Sequence, residues 1–261
     1  MVSKVVFFGN GPLADYALEV IKRDCEVIFH ARSREDLEEV CRIKKEVPEA
    51  HGVLASFGVM IPEKVLELFE PEGILNIHPS LLPLYRGASP IESAILNGDT
   101  EFSVSVMKLV KAMDAGPIYY QTTLSDLPLC EDDIYKALAE TGADWICQNL
   151  MNLSEPVLQD DSKATYCGKL DKSMSLLTPE TDTAEVTFRK IVAYQGYPKP
   201  KYSFYGINCI ILEAHILSQS ETAALSIPCA DGGVVVIDKL QPEGKKQMDA
   251  KSFINGYARN F

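Results

Sequence analysis

Val5-Val6-Phe7-Phe8-Gly9-Asn10-Gly11-Pro12-Leu13-Ala14 compresses a strand, a tight turn and the start of a helix into ten residues. Four strand-forming apolar residues stop at Gly-Asn-Gly-Pro punctuation, and Leu13, Ala17, Leu18 and Ile21 then recur at helical spacing. The same rhythm repeats downstream. Residues 25–29 read as a second strand, and 33 to about 46 as a polar helix with Leu37, Val40 and Cys41 on one face. Residues 53–58 form a third strand, 62–69 a helix with proline at its favoured first turn, and 73–78 a fourth strand stopped by Pro79. Strands alternating with helices demand parallel pairing. The expectation is an α/β domain with a Rossmann-like, mostly parallel sheet and helices on both faces.

The rhythm changes after a helix around 88–96. Residues 102–107 and 118–122 read as strands joined through Asp114-Ala115-Gly116-Pro117, and 131–150 as an amphipathic helix carrying Ile134, Leu138, Trp145 and Leu150. The polar run Gln159-Asp160-Asp161-Ser162-Lys163 reads as a linker. Beyond it come a helix near 184–194 and strands at 202–205, 207–214, 224–228 and 234–237. Asp231-Gly232-Gly233 is a hairpin signal between the last two. The expected division is 1–158 as the first domain, 159–180 as linker and 181–261 as a small, mainly β barrel.

Bulk properties narrow the class. The 261 residues are 46% hydrophobic and 24% charged, enough for a sizeable core and too apolar for disorder. No apolar run approaches the ~20 residues that cross a bilayer. The start runs straight into a strand pattern with no cleavage region, so a cytoplasmic location and no membrane contact are expected. Seven scattered cysteines lack any CxxC pair, which points to reduced thiols and to no metal. The net charge of −12 hides an asymmetry: residues 163–261 hold 12 basic and 10 acidic side chains, the rest 13 and 27. A polyanion would be met more easily by the second part.

In an open parallel sheet, ligands collect at the carboxyl ends of the strands. Asn76-Ile77-His78-Pro79-Ser80-Leu81-Leu82-Pro83 sits at such an end. Asn76 and His78, two apart on a strand, share a face. Alone, His78 reads as a satisfied histidine at a strand end. Beside an amide that can polarise an oxyanion, and with Asp114 able to orient its ring and favour the protonated form, it completes the inventory for acyl transfer to an amine. None of these groups is a good covalent nucleophile, so direct transfer is expected.

The 76–83 segment, followed by Tyr85-Arg86-Gly87-Ala88-Ser89-Pro90-Ile91, closely resembles the signature of folate-dependent formyltransferases, and Met113-Asp114-Ala115-Gly116-Pro117-Ile118 resembles their second signature. The resemblance implies Asn76, His78 and Asp114 as the catalytic set. It also implies 10-formyltetrahydrofolate as formyl donor, held by the loop Ser80, Leu81, Leu82 and Pro83 with Phe57 and Lys111 nearby. Leu240-Gln241-Pro242-Glu243-Gly244-Lys245-Lys246-Gln247-Met248 and Ala164-Thr165-Tyr166-Cys167-Gly168-Lys169-Leu170 are similar to segments of the family's tRNA-acting branch. That branch has an OB-like second domain and takes methionyl-initiator tRNA as acceptor. Lys199, Lys201, Lys245 and Lys246 are candidate phosphate contacts, with Arg32 and Arg34 on the first domain, and a monomer is expected. One departure stands out. The branch usually carries a longer basic insertion after the second strand, whereas residues 31–49 here hold five basic and six acidic residues.

Three other readings compete. An amino sugar nucleotide could replace the tRNA as acceptor. The G-x-G-x-x-A pattern of Gly9–Ala14 could signal a dinucleotide-dependent oxidoreductase, with Arg32 facing a 2′-phosphate, although no acidic residue closes the second strand. A non-catalytic folate-binding or RNA-binding descendant would not need the Asn76, His78 and Asp114 trio.

Overall fold

A computed structural model describes residues 2–218 and 222–257. The chain divides into two units: residues up to Ile91 with Thr100–Gly168, and Glu92–Asp99 with residues from Lys169 on.

In the first unit the opening stretch folds as β1 (Lys4–Phe8) and α1 (Pro12–Asp24). Then follow β2 (Glu26–Ala31), α2 (Leu37–Glu46), β3 (His51–Leu54), the short α3 (Glu63–Leu66) ending in a 3-10 turn, and β4 (Ile74–His78). Next are the two-residue β5 (Arg86–Gly87), β6 (Phe102–Lys108), β7 (Ile118–Leu124), α5 (Glu131–Asn149) and β8 (Tyr166–Cys167), while α4 (Pro90–Asn97), between β5 and β6 in the chain, falls mostly to the second unit. The sheet order is β2-β1-β3-β4-β6-β7. The first four strands are mutually parallel, while β6 runs antiparallel to β4 and β7 to β6.

Every residue of β4 is buried, as a strand covered on both faces must be. Val6, Phe8 and Ile74 pack with Leu37, Val40, Val65 and Phe69 from α2, α3 and the 3-10 turn. On the other face α5 lies against α1, β4 and β6. The α/β reading thus holds, with an antiparallel pair closing one side of the parallel sheet.

The second unit contains α6 (Ala184–Ala193), β9 (Lys201–Phe204), β10 (Ile207–Ile216), β11 (Ser226–Pro228), β12 (Val234–Pro242), β13 (Met248–Asp249) and α7 (Ala250–Tyr257). Its antiparallel sheet has the order β11-β12-β10-β9, with β13 added to β12, an open OB-like arrangement. Ile211, Ile227, Val235 and Leu240 from the sheet pack with Ile191 of α6 and Phe253 of α7. Thr183 caps α6 by accepting from the Val186 amide, the side-chain acceptor an N-terminal turn requires.

The stretch expected as a linker behaves differently along its length. Residues 159–168 group with the first unit, because Arg86 hydrogen-bonds Gln159 and Asp161 and β8 pairs with β5 in parallel.

Candidate active site

Asn76 and His78 project from one face of β4, near its carboxyl end, and both are buried. No hydrogen bond engages the Asn76 side-chain amide among the described residues, so its N–H is free to meet an oxyanion. The His78 Nε2 lies 3.1 Å from the Tyr85 carbonyl. A carbonyl only accepts, so Nε2 carries the hydrogen and Nδ1 is left to face the site.

Asp114 Oδ1 lies 3.8 Å from that Nδ1, and its Oδ2 accepts from the Gly87 amide at 2.8 Å. The approach depends on the loop. β6 is antiparallel to β4, so Lys108 at its end pairs with Leu75 at the start of β4. The chain must then run back along β4 by about three residues, or roughly 10 Å, a reach five extended residues cover. Asp114 closes this loop with φ 48°, a left-handed conformation that aspartate tolerates better than most residues. Gly116 follows where a Cβ would sit 1.8 Å from the Lys108 carbonyl oxygen. Only glycine fits there.

Burial pushes the His78 pKa down and the neighbouring Asp114 charge pulls it up, with a net downward direction. The ring therefore rests neutral at neutral pH, whereas the sequence alone suggested an imidazolium. A neutral Nδ1 beside a carboxylate is a proton acceptor.

The 80–83 loop is pinned from beneath. Ser105, fully buried on β6, donates to the Ser80 carbonyl at 2.6 Å and accepts from the Leu82 amide at 3.1 Å. Gln121 on β7 donates to the Leu82 carbonyl and to Ser105 Oγ, both at 2.8 Å. Ser80 Oγ donates to the Leu84 carbonyl. Leu82 is buried and Leu81 is 40% exposed, so Leu81 is the side chain this loop offers to a ligand. Sequence reasoning missed Ser105 and Gln121; a polar residue within the apolar strand pattern was the available signal.

Among the described residues no hydrogen bond or ion pair joins the other candidates to this cluster. Phe57 is buried in the core, edge-on to Phe8, and presents no free face. The Lys111 ammonium lies 3.8 Å from Glu63, with its side chain 79% exposed. Arg32 and Arg34 are exposed, and the Arg32 guanidinium reaches His30. Lys199, Lys201, Lys245 and Lys246 are exposed on the second unit. Lys201 on β9 and Gln241 on β12 both pair with Ile210, and Gln241 donates to the Lys245 carbonyl. That register sets Lys201 level with Gln241, one strand removed from the turn that carries Lys245 and Lys246.

The Gly9-Asn10 turn is committed elsewhere. The Gly9 amide donates to the Ala31 carbonyl and the Asn10 amide to that of Ser56, so neither is free for a pyrophosphate. Among the described residues no group of three or more His, Cys, Asp or Glu side chains could hold a metal ion, and no helix is long and apolar enough to cross a membrane.

Residues 12–150 match the formyl transferase family, and residues 169–258 match the formyl transferase C-terminal domain. A methionyl-tRNA formyltransferase of Dictyoglomus thermophilum is 33% identical over 240 residues, covering 84% of this chain and 75% of that protein. Among solved structures, the methionyl-tRNA formyltransferase from Clostridium thermocellum superposes with a TM-score of 0.67 at 17% identity, over 93% of this chain and 99% of that one. HypX from Aquifex aeolicus, in complex with tetrahydrofolic acid, superposes with a TM-score of 0.76 at 16% identity, over 98% of this chain and 47% of that one. At such identities the two structural likenesses carry the fold.

Proposed function

The chain belongs to the formyl transferase family and is a transferase of that type, and on this premise we propose that it moves the formyl group of 10-formyltetrahydrofolate onto the free amino group of methionyl-initiator tRNA. The observation that carries the reading is the convergence of an unengaged buried amide, an imidazole and a carboxylate from segments 36 positions apart, with His78 Nδ1 3.8 Å from Asp114. Residues up to Gly168, outside 92–99, carry the chemistry and the folate, residues 169–180 connect, and residues 181–261 meet the tRNA.

The uncharged methionyl nitrogen attacks the formyl carbon beside Asn76 and His78. Asn76 donates to the oxygen as it becomes an oxyanion; a donor of this kind contributes roughly 3–4 kcal/mol. The attacking nitrogen becomes cationic, and its proton passes to the Asp114–His78 pair, directly or through one water. Once protonated at Nδ1, His78 is a second donor to the oxyanion. Collapse breaks the bond from the formyl carbon to N10, and the proton taken from the amine returns to N10. No atom of the protein is acylated. Leu81 and the pinned 80–83 loop supply the apolar support that holds the donor.

A second reading rests on one observation: α2 and its flanks, where a basic insertion is expected, carry no basic excess, with six acidic against five basic residues in 31–49. An amino sugar nucleotide would need no such insertion. Purified protein with the formyl donor is therefore assayed against initiator methionyl-tRNA, elongator methionyl-tRNA and a dTDP-linked amino sugar. The proposal expects formylation of the initiator species, at least tenfold faster than of the elongator. Turnover of the sugar alone overturns it.

A further inference from the structure

The segment that follows α5 was expected to be a linker, yet it reaches into the site. The Gln159 side chain makes all four hydrogen bonds an amide allows. Its oxygen accepts from Arg86 Nε at 3.0 Å and Nη2 at 2.7 Å. Its nitrogen donates to the Asp114 carbonyl at 2.8 Å and the Gly116 carbonyl at 2.7 Å. Arg86 is only 2% exposed and reaches Asp161 at 2.7 Å as well.

The grip extends to the other side of the site. The Thr165 amide donates to the Pro83 carbonyl, Thr165 Oγ1 accepts from the Tyr85 amide, and the Thr165 carbonyl accepts from the Arg86 amide. Tyr85 is the residue whose carbonyl holds His78 Nε2. Gly87, whose amide binds the Asp114 carboxylate, sits where a Cβ would lie 2.1 Å from the Cys167 carbonyl oxygen. One nine-residue stretch, 159–167, thus holds the supports of both proton-carrying groups.

We propose that Gln159, oriented by Arg86, is a positioning residue that sets the Asp114 carboxylate against His78, and that residues 159–167 belong to the active site. Asp114 needs such a support. Its left-handed backbone costs free energy relative to an ordinary conformation and persists only where surrounding contacts fix it. Two donors from a single side chain fix its carbonyl and that of Gly116 together. Gln159 touches no reacting atom, so its effect reaches the chemistry only through Asp114. This inference rests on the formyl-transfer reading for its kinetic consequence, but the geometry it describes has a readout without substrate.

The test compares Gln159→Met, which keeps length and loses all four hydrogen bonds, with Gln159→Glu, which keeps an acceptor for Arg86 but turns oxygen toward two carbonyls. Both are expected to lower kcat at least tenfold, with KM for donor and acceptor within twofold and a thermal midpoint close to wild type. The His78 titration, followed by NMR in the free protein, is expected to move to lower pH in Gln159→Met. When the Asp114 charge withdraws, burial acts alone on the ring. A kcat within twofold of wild type, or an unmoved His78 titration, overturns the proposal. Loss of the cooperative melt in both variants also overturns it, since the amide would then be holding the fold. A wild-type protein that formylates nothing, but whose His78 titration still responds to Gln159→Met, sinks the transfer reading and leaves this one standing.

Discussion

At the scale of single residues, His78 is held between opposing influences. Burial disfavours its charged form and Asp114 favours it, so removing the carboxylate without removing the side chain isolates one of them. Asp114→Asn is expected to lower kcat by roughly 10²–10³-fold, the scale of losing one charge-stabilising group, and to shift the His78 titration further down. The acid limb of the rate profile moves to lower pH with it. Stability follows from the same shift. Between the depressed folded value and the ordinary imidazole value near 6.5, the unfolded chain binds the proton that the folded ring refuses. Stability is therefore full above about pH 6.5 and falls as pH drops through that window. His51, whose pKa burial also lowers, adds in the same sense. Urea titrations at several pH values check the slope, which is expected to extend to lower pH in Asp114→Asn. A steeper loss at high pH would contradict this account.

At the scale of elements, the site depends on how closely α5 approaches β4. Gly142 on α5 sits where a Cβ would lie 2.8 Å from the Ile77 Cγ2 methyl and 3.2 Å from that of Val104. Ile77 is buried and β-branched, with little rotamer freedom to yield, and it stands between Asn76 and His78. Helix propensity alone favours alanine over glycine by about 1 kcal/mol. Overpacking typically costs about 1–3 kcal/mol. The overpacking wins, so Gly142→Ala is expected to lower the melting temperature and slow turnover several-fold; a raised melting temperature would refute that packing argument. The strand-helix alternation, and with it β4 and its shared Asn76–His78 face, was legible because both follow from local periodicity. Ser105, Gln121 and Gln159 were not, because their partners lie 16 to 73 residues away and a polar side chain does not announce which carbonyl it will meet. The two-residue strands β5 and β8 are too short for any period. α7 did carry a signal, Ala250, Phe253, Ile254 and Tyr257 at helical spacing, blurred by Asn255 and Gly256.

At the scale of the whole molecule, charge and chemistry are divided along the chain. Asn76, His78 and Asp114 all lie in the stretch 1–162, which carries 27 acidic against 13 basic residues, a field unfavourable to a polyanion. Residues 163–261 are nearly balanced, and Lys245 and Lys246 are exposed just past the end of β12. If that end meets phosphates, reversing two of the charges weakens acceptor binding and leaves the reacting groups untouched. Lys245→Glu with Lys246→Glu is expected to raise KM for methionyl-tRNA at least tenfold at about 0.1 M salt, with kcat and the donor KM within twofold. Each lost phosphate contact also flattens the dependence of log affinity on log salt by about 0.7–0.9, so the double variant should lose a slope of about 1.4–1.8. The salt series separates a phosphate contact from a general loss of folding, which would depress kcat and the donor KM together. An acceptor KM unchanged across the series would move the polyanion's seat away from this end of the sheet, and would leave the flank of α2, with Arg32 and Arg34, as the surface to reverse next.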